Sequence, residues 1–506
     1  MFPSNRTLFI ADNLRVLRGM DSETVDLIAT DPPFNAKRSF NAPLGSKAAT
    51  QRFDDRWRWD QVTDEWHDLL ATDHPAIKEV IEAAVVIEGG QVTDRGIKTG
   101  VENSIAAFLA WLAPRVVEIH RILKPTGSLY LHCDDAANSY LRILLDAVFG
   151  RSNFRNEIVW KRTAGKGLNP TRYVRNCDRI LYYAKGAKPI WNQQYDPFDP
   201  AYGAAWRKDE CGPWEDADLT GGKAGGPEAY KPFRGVTPSA GRAWAPPPRN
   251  KFPPDAGLPD NYESLDALSK CEALDDAGLI HWPRKAGGIP RYKKYLSTLP
   301  GIYASDLIVN IPPVSSRSRE HTGWKTQKPL KLYRRIVEAS TREGDLVMDP
   351  FAGCATTCVA AEQLRRRWIG VDIDPVAETV TLDRLREETG LFEAIDGKPV
   401  TARKHPPRRS DIQHVTDAKL RVILWNNQGR RCANPYCTSE RLRAEDLDLD
   451  HRIPKSRGGA DDQSNRIGLC HNCNTRKGAK AWGKFLEKCG RDCPTRRRED
   501  RHETDA

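Results

Sequence analysis

Short apolar runs broken by polar turns open the chain and predict alternating strands and helices. Thr7–Ala11 reads as a strand, Leu14–Gly19 as a short helix and Val25–Thr30 (VDLIAT) as the continuous apolar strand of a buried parallel sheet. That strand runs into Asp31-Pro32-Pro33-Phe34, where the prolines force a turn at its carboxyl end. Residues 35–100 are polar and mixed, with aromatics at Phe53, Trp57 and Trp59, and read as an insertion over the sheet edge. Ser104–Leu123 is an amphipathic helix, Ser128–His132, Glu157–Lys161 and Arg179–Tyr183 are strands, and Ala136–Phe149 is a helix.

Periodicity fades between Trp191 and about Pro300, where Gly, Pro, Trp and Tyr are dense, as in loop-built recognition regions. It returns with a helix at Leu330–Ala339 and a strand at Asp345–Met348 that ends in Asp349-Pro-Phe-Ala-Gly353. A helix at Thr357–Leu364, a strand at Trp368–Val371 ending in Asp372 and a helix at Val376–Glu388 follow. Pro399–Ser410 is basic and proline-containing and reads as a linker. The expected divisions are 1–190, 191–300 and 301–392, a linker at 393–411, a small domain at 412–493 and a disordered tail at 494–506.

Charge and cysteine placement sharpen this picture. Of the net charge of +10, +9 lies between Thr401 and Ala506, where 24 Lys and Arg face 15 Asp and Glu. A basic region on a nearly neutral body points first to nucleic acid. Six of the twelve cysteines fall in the last 75 residues, a clustering that argues for zinc over a disulfide framework. No apolar run approaches the ~18 residues of a membrane helix, and the N-terminus carries no secretion pattern. A cytoplasmic protein without membrane contact is expected.

Two strand ends carry chemistry. The small-residue turn after Asp349 lets a ligand approach the backbone and a helix N-terminus. Asp372, at the end of the next strand, is placed to accept ribose hydroxyls. At Asp31 the problem is different: the exocyclic amine of a base is a poor nucleophile because its lone pair is delocalised. A carboxylate and a backbone carbonyl can hold its two hydrogens while an aromatic stacks on the base, once the base has left the duplex.

These blocks resemble the DNA amino-methyltransferases in the permuted beta arrangement, with the catalytic motif first, target recognition in the middle and the S-adenosylmethionine block last. The likeness covers roughly Leu8–Glu388 and includes DLIATDPPFN at 26–35, GSLYLHCD at 127–134, KTQKPLKLYRRIVEAS at 325–340 and DLVMDPFAGCATTCVAAEQL at 345–364. The resemblance implies that Asp31, Pro32, Pro33 and Phe34 form the catalytic motif. Asp31 and Pro32 would hold the amino group, and Phe34 would stack on the base. Asp349 opens the cofactor block, in which Phe351, Ala352 and Gly353 wrap the methionine end, and Asp372 takes the ribose. Thr326, Lys328 and Pro329 would cradle the methionyl group, and Asp12 would lie near the adenine. Ala355 stands where the family usually has glycine, and a negative φ is expected there. In this family DPPF favours adenine N6 over cytosine N4. Cytosine C5 chemistry is disfavoured, since no Pro-Cys pair occurs.

Near the C-terminus, Cys432-x4-Cys437 and Cys470-x2-Cys473 suit a tetrahedral structural zinc. Between them lie Asp450-His451 and a Gly-Gly turn, then Asn465, with Asn474 just beyond. This stretch resembles the HNH nucleases over about 430–480. The resemblance implies a ββα-metal fold in which His451 activates water and Asn465 orients the loop. Asp450 and Asn474 would ligate Mg2+ or a similar divalent ion. Cys489 and Cys493 read as free thiols near the tail, with a role as alternative ligands open.

The expected fold is therefore α/β: a Rossmann-like methyltransferase sheet with a loop-rich recognition insertion, plus a small zinc-braced HNH domain. The expected protein methylates adenine N6 in double-stranded DNA and cuts or nicks DNA through its tail, with homodimerisation open. The alternatives are an adenine-N6 or cytosine-N4 methyltransferase whose tail is a non-catalytic zinc module, and an enzyme acting on RNA.

Overall fold

Val25–Thr30 is buried along its whole length, because it lies in the middle of a sheet covered on both faces. The computed structural model describes residues 5–492 apart from 36–38, 42–45, 47, 49–51, 72–73, 94–95, 164–170, 172, 200, 223–225, 390–398, 413–414, 440–441, 460 and 462. Cys493 and the expected disordered tail lie outside the described residues. Among the described residues no helix is long and apolar enough to cross a membrane.

The sheet has nine strands: β1 (Thr7–Ile10), β2 (Val25–Thr30), β3 (Leu123–Cys133), β4 (Phe154–Lys161), β5 (Cys177–Ala184), β6 (Leu307–Ile308), β7 (Leu346–Asp349), β8 (Arg367–Asp372) and β9 (Thr401–Arg403). Their order is β6-β4-β5-β3-β2-β7-β8-β1-β9, with β5 alone antiparallel to its neighbours. β2 and β7 lie side by side, Met348 opposite Ile28, so the Asp31 turn and the Asp349 turn leave the same edge. Side-chain alternation divides β2 between two cores. Ile28 joins one core with helices α1 (Asn13–Gly19), α2 (Trp59–Ala71), α3 (Pro75–Ile87), α4 (Ile105–Ile122) and α5 (Asn138–Phe149). Leu27 and Ala29 join the other with α6 (Leu330–Ser340), α7 (Thr356–Gln363) and α8 (Val376–Thr389).

Two segments differ from expectation. The polar stretch 35–100 is not merely a cover over the sheet edge. Val62, Trp66 and Leu69 of α2 and Ile77, Ile81 and Val85 of α3 recur at helical spacing and belong to the first core. The apolar stripe was diluted by charged residues on the other helix face. The segment read as a linker is also structured. Its residues 401–403 form β9, parallel to β1, and the Ser22 amide donates to Asp411 Oδ2 at 2.9 Å.

Gln193–Ser305 forms a separate unit. Its four-stranded antiparallel sheet and the helix Ala267–Asp276 enclose a core that includes Trp214, Phe233, Trp244, Tyr262, Leu274 and Tyr295.

The C-terminal domain belongs to the same unit as the nine-stranded sheet. It comprises α9 (Asp417–Asn427), the antiparallel pair β10 (Leu447–His451) and β11 (Arg466–Cys470), α10 (His471–Lys477) and α11 (Trp482–Asp492). Ion pairs tie it to α2. Arg457 reaches Asp64 at 2.6 Å and Asp68 at 3.0 Å, and His67 Nε2 lies 2.8 Å from Glu487. Arg18 of α1 donates to Asp68 at 3.0 Å and to the Arg457 carbonyl at 2.8 Å. The fused domain is thus docked, not tethered.

Asp68 is buried between two guanidinium groups. Asp68→Ala should leave both short of a partner and cost about 3 kcal/mol. Hydrogen exchange should rise in α11 and around Arg457 while the nine-stranded sheet keeps its protection. Unchanged exchange would refute the docking role.

Candidate functional site

A cavity of about 350 Å³ opens at the carboxyl ends of β1, β2, β7 and β8. The Asp349 carboxylate lies at its base, accepting from Thr30 Oγ1 (2.6 Å), Thr357 Oγ1 (2.7 Å) and the Phe351 amide (3.0 Å). Burial pushes its pKa up to about 6. Asp372 accepts from the amides of Gly353 (2.7 Å) and Asp374 (2.8 Å), and burial raises it likewise to about 6. The turn between them is tight. Gly353 has φ +52°, and a Cβ there would sit 3.0 Å from Trp324 Nε1. Ala355 also takes φ +58°, ψ +36°, which corrects the expected negative φ. The turn into α7 demands a left-handed residue, so alanine bears a strain of about 1–2 kcal/mol that glycine would not.

Opposite this loop stands the Asp31 turn. Asp55 holds it, accepting from the amides of Phe34 (3.1 Å) and Asn35 (2.9 Å) and from Trp57 Nε1 (3.0 Å). The Phe34 ring lies parallel to buried His132, with centroids 5.8 Å apart. Asp31 Oδ2 is ion-paired with Lys328, whereas its Oδ1 is buried and has no hydrogen-bond partner among the described residues.

A third wall is aromatic and basic. Trp111 contacts Trp57 (4.4 Å) and Phe351 (5.6 Å). Buried Arg115 stacks on Trp111 at 4.1 Å and donates to Asn13 Oδ1 (2.8 Å) and Asp12 Oδ2 (3.2 Å). Asp12 also caps α1 through the Arg15 amide.

In the C-terminal domain the sulfurs of Cys432, Cys437, Cys470 and Cys473 all lie within 4.8 Å of one another. Tetrahedral zinc with ~2.3 Å bonds wants sulfurs about 3.8 Å apart, so the set fits the ion. Donors surround it, as anionic thiolates require: the Cys470 amide to Cys432 (3.3 Å), the Ser439 amide to Cys437 (3.4 Å) and Asn434 Nδ2 to Cys473 (3.2 Å). Cys489 is buried in the adjoining core.

The loop between β10 and β11 is pinned by Asn465, which accepts from the Ile453 amide (2.8 Å) and donates to its carbonyl (3.0 Å). Gly459 is obligatory, since a Cβ there would meet the Ile453 oxygen at 1.9 Å. His451 Nε2 lies 2.8 Å from Asp461 Oδ1, and Arg466 and Lys455 hold the Asp461 carboxylate. Asp450 Oδ2 accepts from buried Lys477 at 2.7 Å, while Asn474 Nδ2 donates to Asp448 at 3.1 Å.

The DNA methylase family model (N6_N4_Mtase) matches residues 25–382, well over half of the chain. The chain belongs to the DNA methylase family. The HNH endonuclease model matches residues 432–480, so this DNA methylase carries a C-terminal HNH domain. It is 30% identical to the type II methyltransferase M.EcaI of Enterobacter cloacae, over 55% of this chain and 57% of that one. It is 22% identical to the DNA adenine methyltransferase YhdJ of Escherichia coli strain K12, over 75% and 82%. The chain spans about half the length of several curated relatives, between 50% and 57% of the first three. The solved PvuII DNA methyltransferase, described as cytosine-N4-specific, is 12% identical with a TM-score of 0.37, covering 79% of this chain and 96% of that one.

The methylase cavity gathers Asp12, Asp31, Pro32, Pro33, Phe34, Thr326, Lys328, Asp349, Phe351, Gly353 and Asp372. Pro329 instead caps the start of α6. Asp450 and Asn474 have different partners. Sequence reasoning missed Asp55, Trp111, Arg115 and Trp324. Only Arg115 had a signal, as a lone charge in the apolar run IAAFLAWLAPRVV.

Three of the nine residues in the domain's core are clustered cysteines, Cys432, Cys470 and Cys473, and the fourth, Cys437, packs against that core. Structural zinc is worth about 10–16 kcal/mol to small domains. Cys470→Ser should therefore lose the metal and the exchange protection of residues 447–477, with the nine-stranded sheet intact. Full protection in a zinc-free variant would refute this.

Proposed function

We propose that this DNA methylase transfers the methyl group of S-adenosylmethionine to N6 of an adenine flipped out of double-stranded DNA. The observation that carries the reading is the divided Asp31 carboxylate. One oxygen is engaged by Lys328 and the other is a buried acceptor with no donor among the described residues, in the cavity that the Asp349–Gly353 loop also lines. An amino group supplies the missing hydrogen. The cavity volume falls in the ~300–1,000 Å³ of small-molecule sites. On binding, the cofactor contributes an electrophilic methyl group. Asp372 accepts from ribose hydroxyls, and the turn at Phe351–Gly353 receives the methionine end. Asp31 Oδ1 and the backbone after it orient the amine, and Phe34 stacks on the base. Adenine is favoured over cytosine by DPPF and by the adenine methyltransferase among the relatives. Residues 193–305, with exposed Tyr195, Tyr202 and Tyr303, are assigned to target recognition.

The HNH domain cuts DNA in this reading. His451 takes a proton from water, oriented by Asp461 through Nε2. A second reading, a zinc module that binds without cutting, is favoured by one observation. The expected metal ligands do not fit the ion as placed: Lys477 already neutralises Asp450, and Asn474 turns its amide to Asp448.

Cells lacking other adenine methylation and expressing the chain should acquire N6-methyladenine at one sequence, read by long-read sequencing. Asp31→Ala should abolish the mark yet retain S-adenosylmethionine binding by calorimetry. Methylation by this variant would overturn the assignment of Asp31.

For the tail, purified protein should nick unmethylated plasmid with added Mg2+ or Mn2+. His451→Ala should lose nicking with zinc content unchanged. A wild type that binds zinc and cuts nothing would select the second reading.

A further inference from the structure

The resemblance placed Lys328 on the methionyl end of the cofactor, but its surroundings are those of the base site. The side chain is buried, and three contacts place its ammonium. It is ion-paired with Asp31 Oδ2, lies 5.0 Å from the centroid of the Phe34 ring and donates to the Thr326 carbonyl at 3.3 Å. Asp31 and Phe34 are the two side chains that the functional reading gives to the target base. Lys328 reaches them from a segment far along the chain, 297 positions after Asp31 in its own case.

We infer that Lys328 is a positioning residue for the target base: it holds Asp31 and Phe34 in one arrangement, with Asp31 Oδ1 left open to the amino group. This rests on the proposed methyltransferase reading. A carboxylate can turn about its Cα–Cβ and Cβ–Cγ bonds, and either oxygen can accept. Pairing Oδ2 with a fixed cation removes that freedom, so one oxygen remains and its place is set. The cation also lies within cation–π range of the ring, roughly 6 Å, which restrains Phe34 relative to the carboxylate. Misplacement of a reacting group by ~1 Å can cost ~100-fold in rate. In the transfer, a C–N bond forms at the amino nitrogen as the methyl–sulfur bond breaks, its electron pair staying on sulfur. One proton then leaves the nitrogen for Asp31 Oδ1 or water. Lys328 exchanges no proton in this step. It orders the acceptor before the step begins.

The two roles for Lys328 predict different kinetics. Full-length Lys328→Met and Lys328→Arg are compared with wild type for S-adenosylmethionine binding by calorimetry and for methyl transfer at saturating cofactor. Lys328→Met should lower kcat about 100-fold, with cofactor Kd and DNA KM within about threefold of wild type. Lys328→Arg, which keeps the cation, should recover most of the rate. Loss of cofactor affinity in parallel with rate would overturn the inference in favour of the cofactor cradle. An unimpaired Lys328→Met in a methylating wild-type background would overturn it alone. A wild type that binds cofactor and methylates nothing would overturn the functional reading, and this role with it.

Discussion

The buried Asp349 carboxylate joins the parts of this structure that must meet. It takes the hydroxyl of Thr30 from β2 and that of Thr357 from α7, and it closes its own turn through the Phe351 amide. A carboxylate so far from water is costly unless its oxygens are satisfied. Here three donors from two strand ends and a helix start satisfy it. The same bonds fix the distance between the Asp31 turn and the Asp349–Gly353 turn, the two walls of the cavity. Burial nonetheless pushes the Asp349 pKa up to about 6, so the three hydrogen bonds offset the desolvation only in part. A charged group is used as a spacer between two pieces of backbone.

What could be read in advance was whatever recurs locally. Val25–Thr30 and the block around Asp349 declared themselves because an apolar run ending in a stiff or small-residue turn has few structural solutions. Ser104, expected to begin a helix, is the N-cap of α4 and accepts from the Ala107 amide. Helix α2 was hidden because the residues between Val62, Trp66 and Leu69 are mostly charged, which masks a stripe in any composition-based reading. β9 was hidden because a three-residue edge strand needs no periodicity, only a neighbour with unpaired backbone. The pairing of Lys328 with Asp31 lay beyond reach for another reason: no local pattern encodes a contact between residues 297 positions apart. Ala355 went the other way, since its usual backbone preference was overridden by the turn it occupies.

The HNH domain illustrates how a small module borrows stability. Its core leans on clustered thiols, and its outer surface leans on α2 and α1 through Arg457 and α11. Helix α1 therefore faces two ways. Its first turn, at Asp12 and Asn13, lines the methylase cavity, and Arg18 at its other end holds the HNH loop. One short helix is common furniture for two chemically unrelated centres.

β1 carries a consequence for the order in which the molecule is made. It precedes every other strand of its sheet in the chain, yet its partners are β8 and β9, more than 350 residues later. The sheet is incomplete until residue 403 has emerged, and such long-range pairing folds slowly. The second zinc knuckle, at Cys470 and Cys473, comes about 70 residues after that, or roughly 4–14 s at the usual ~5–20 residues per second. Translation thus gives the centre assigned to marking DNA time to assemble before the cysteine cluster beside the centre assigned to cutting it can close.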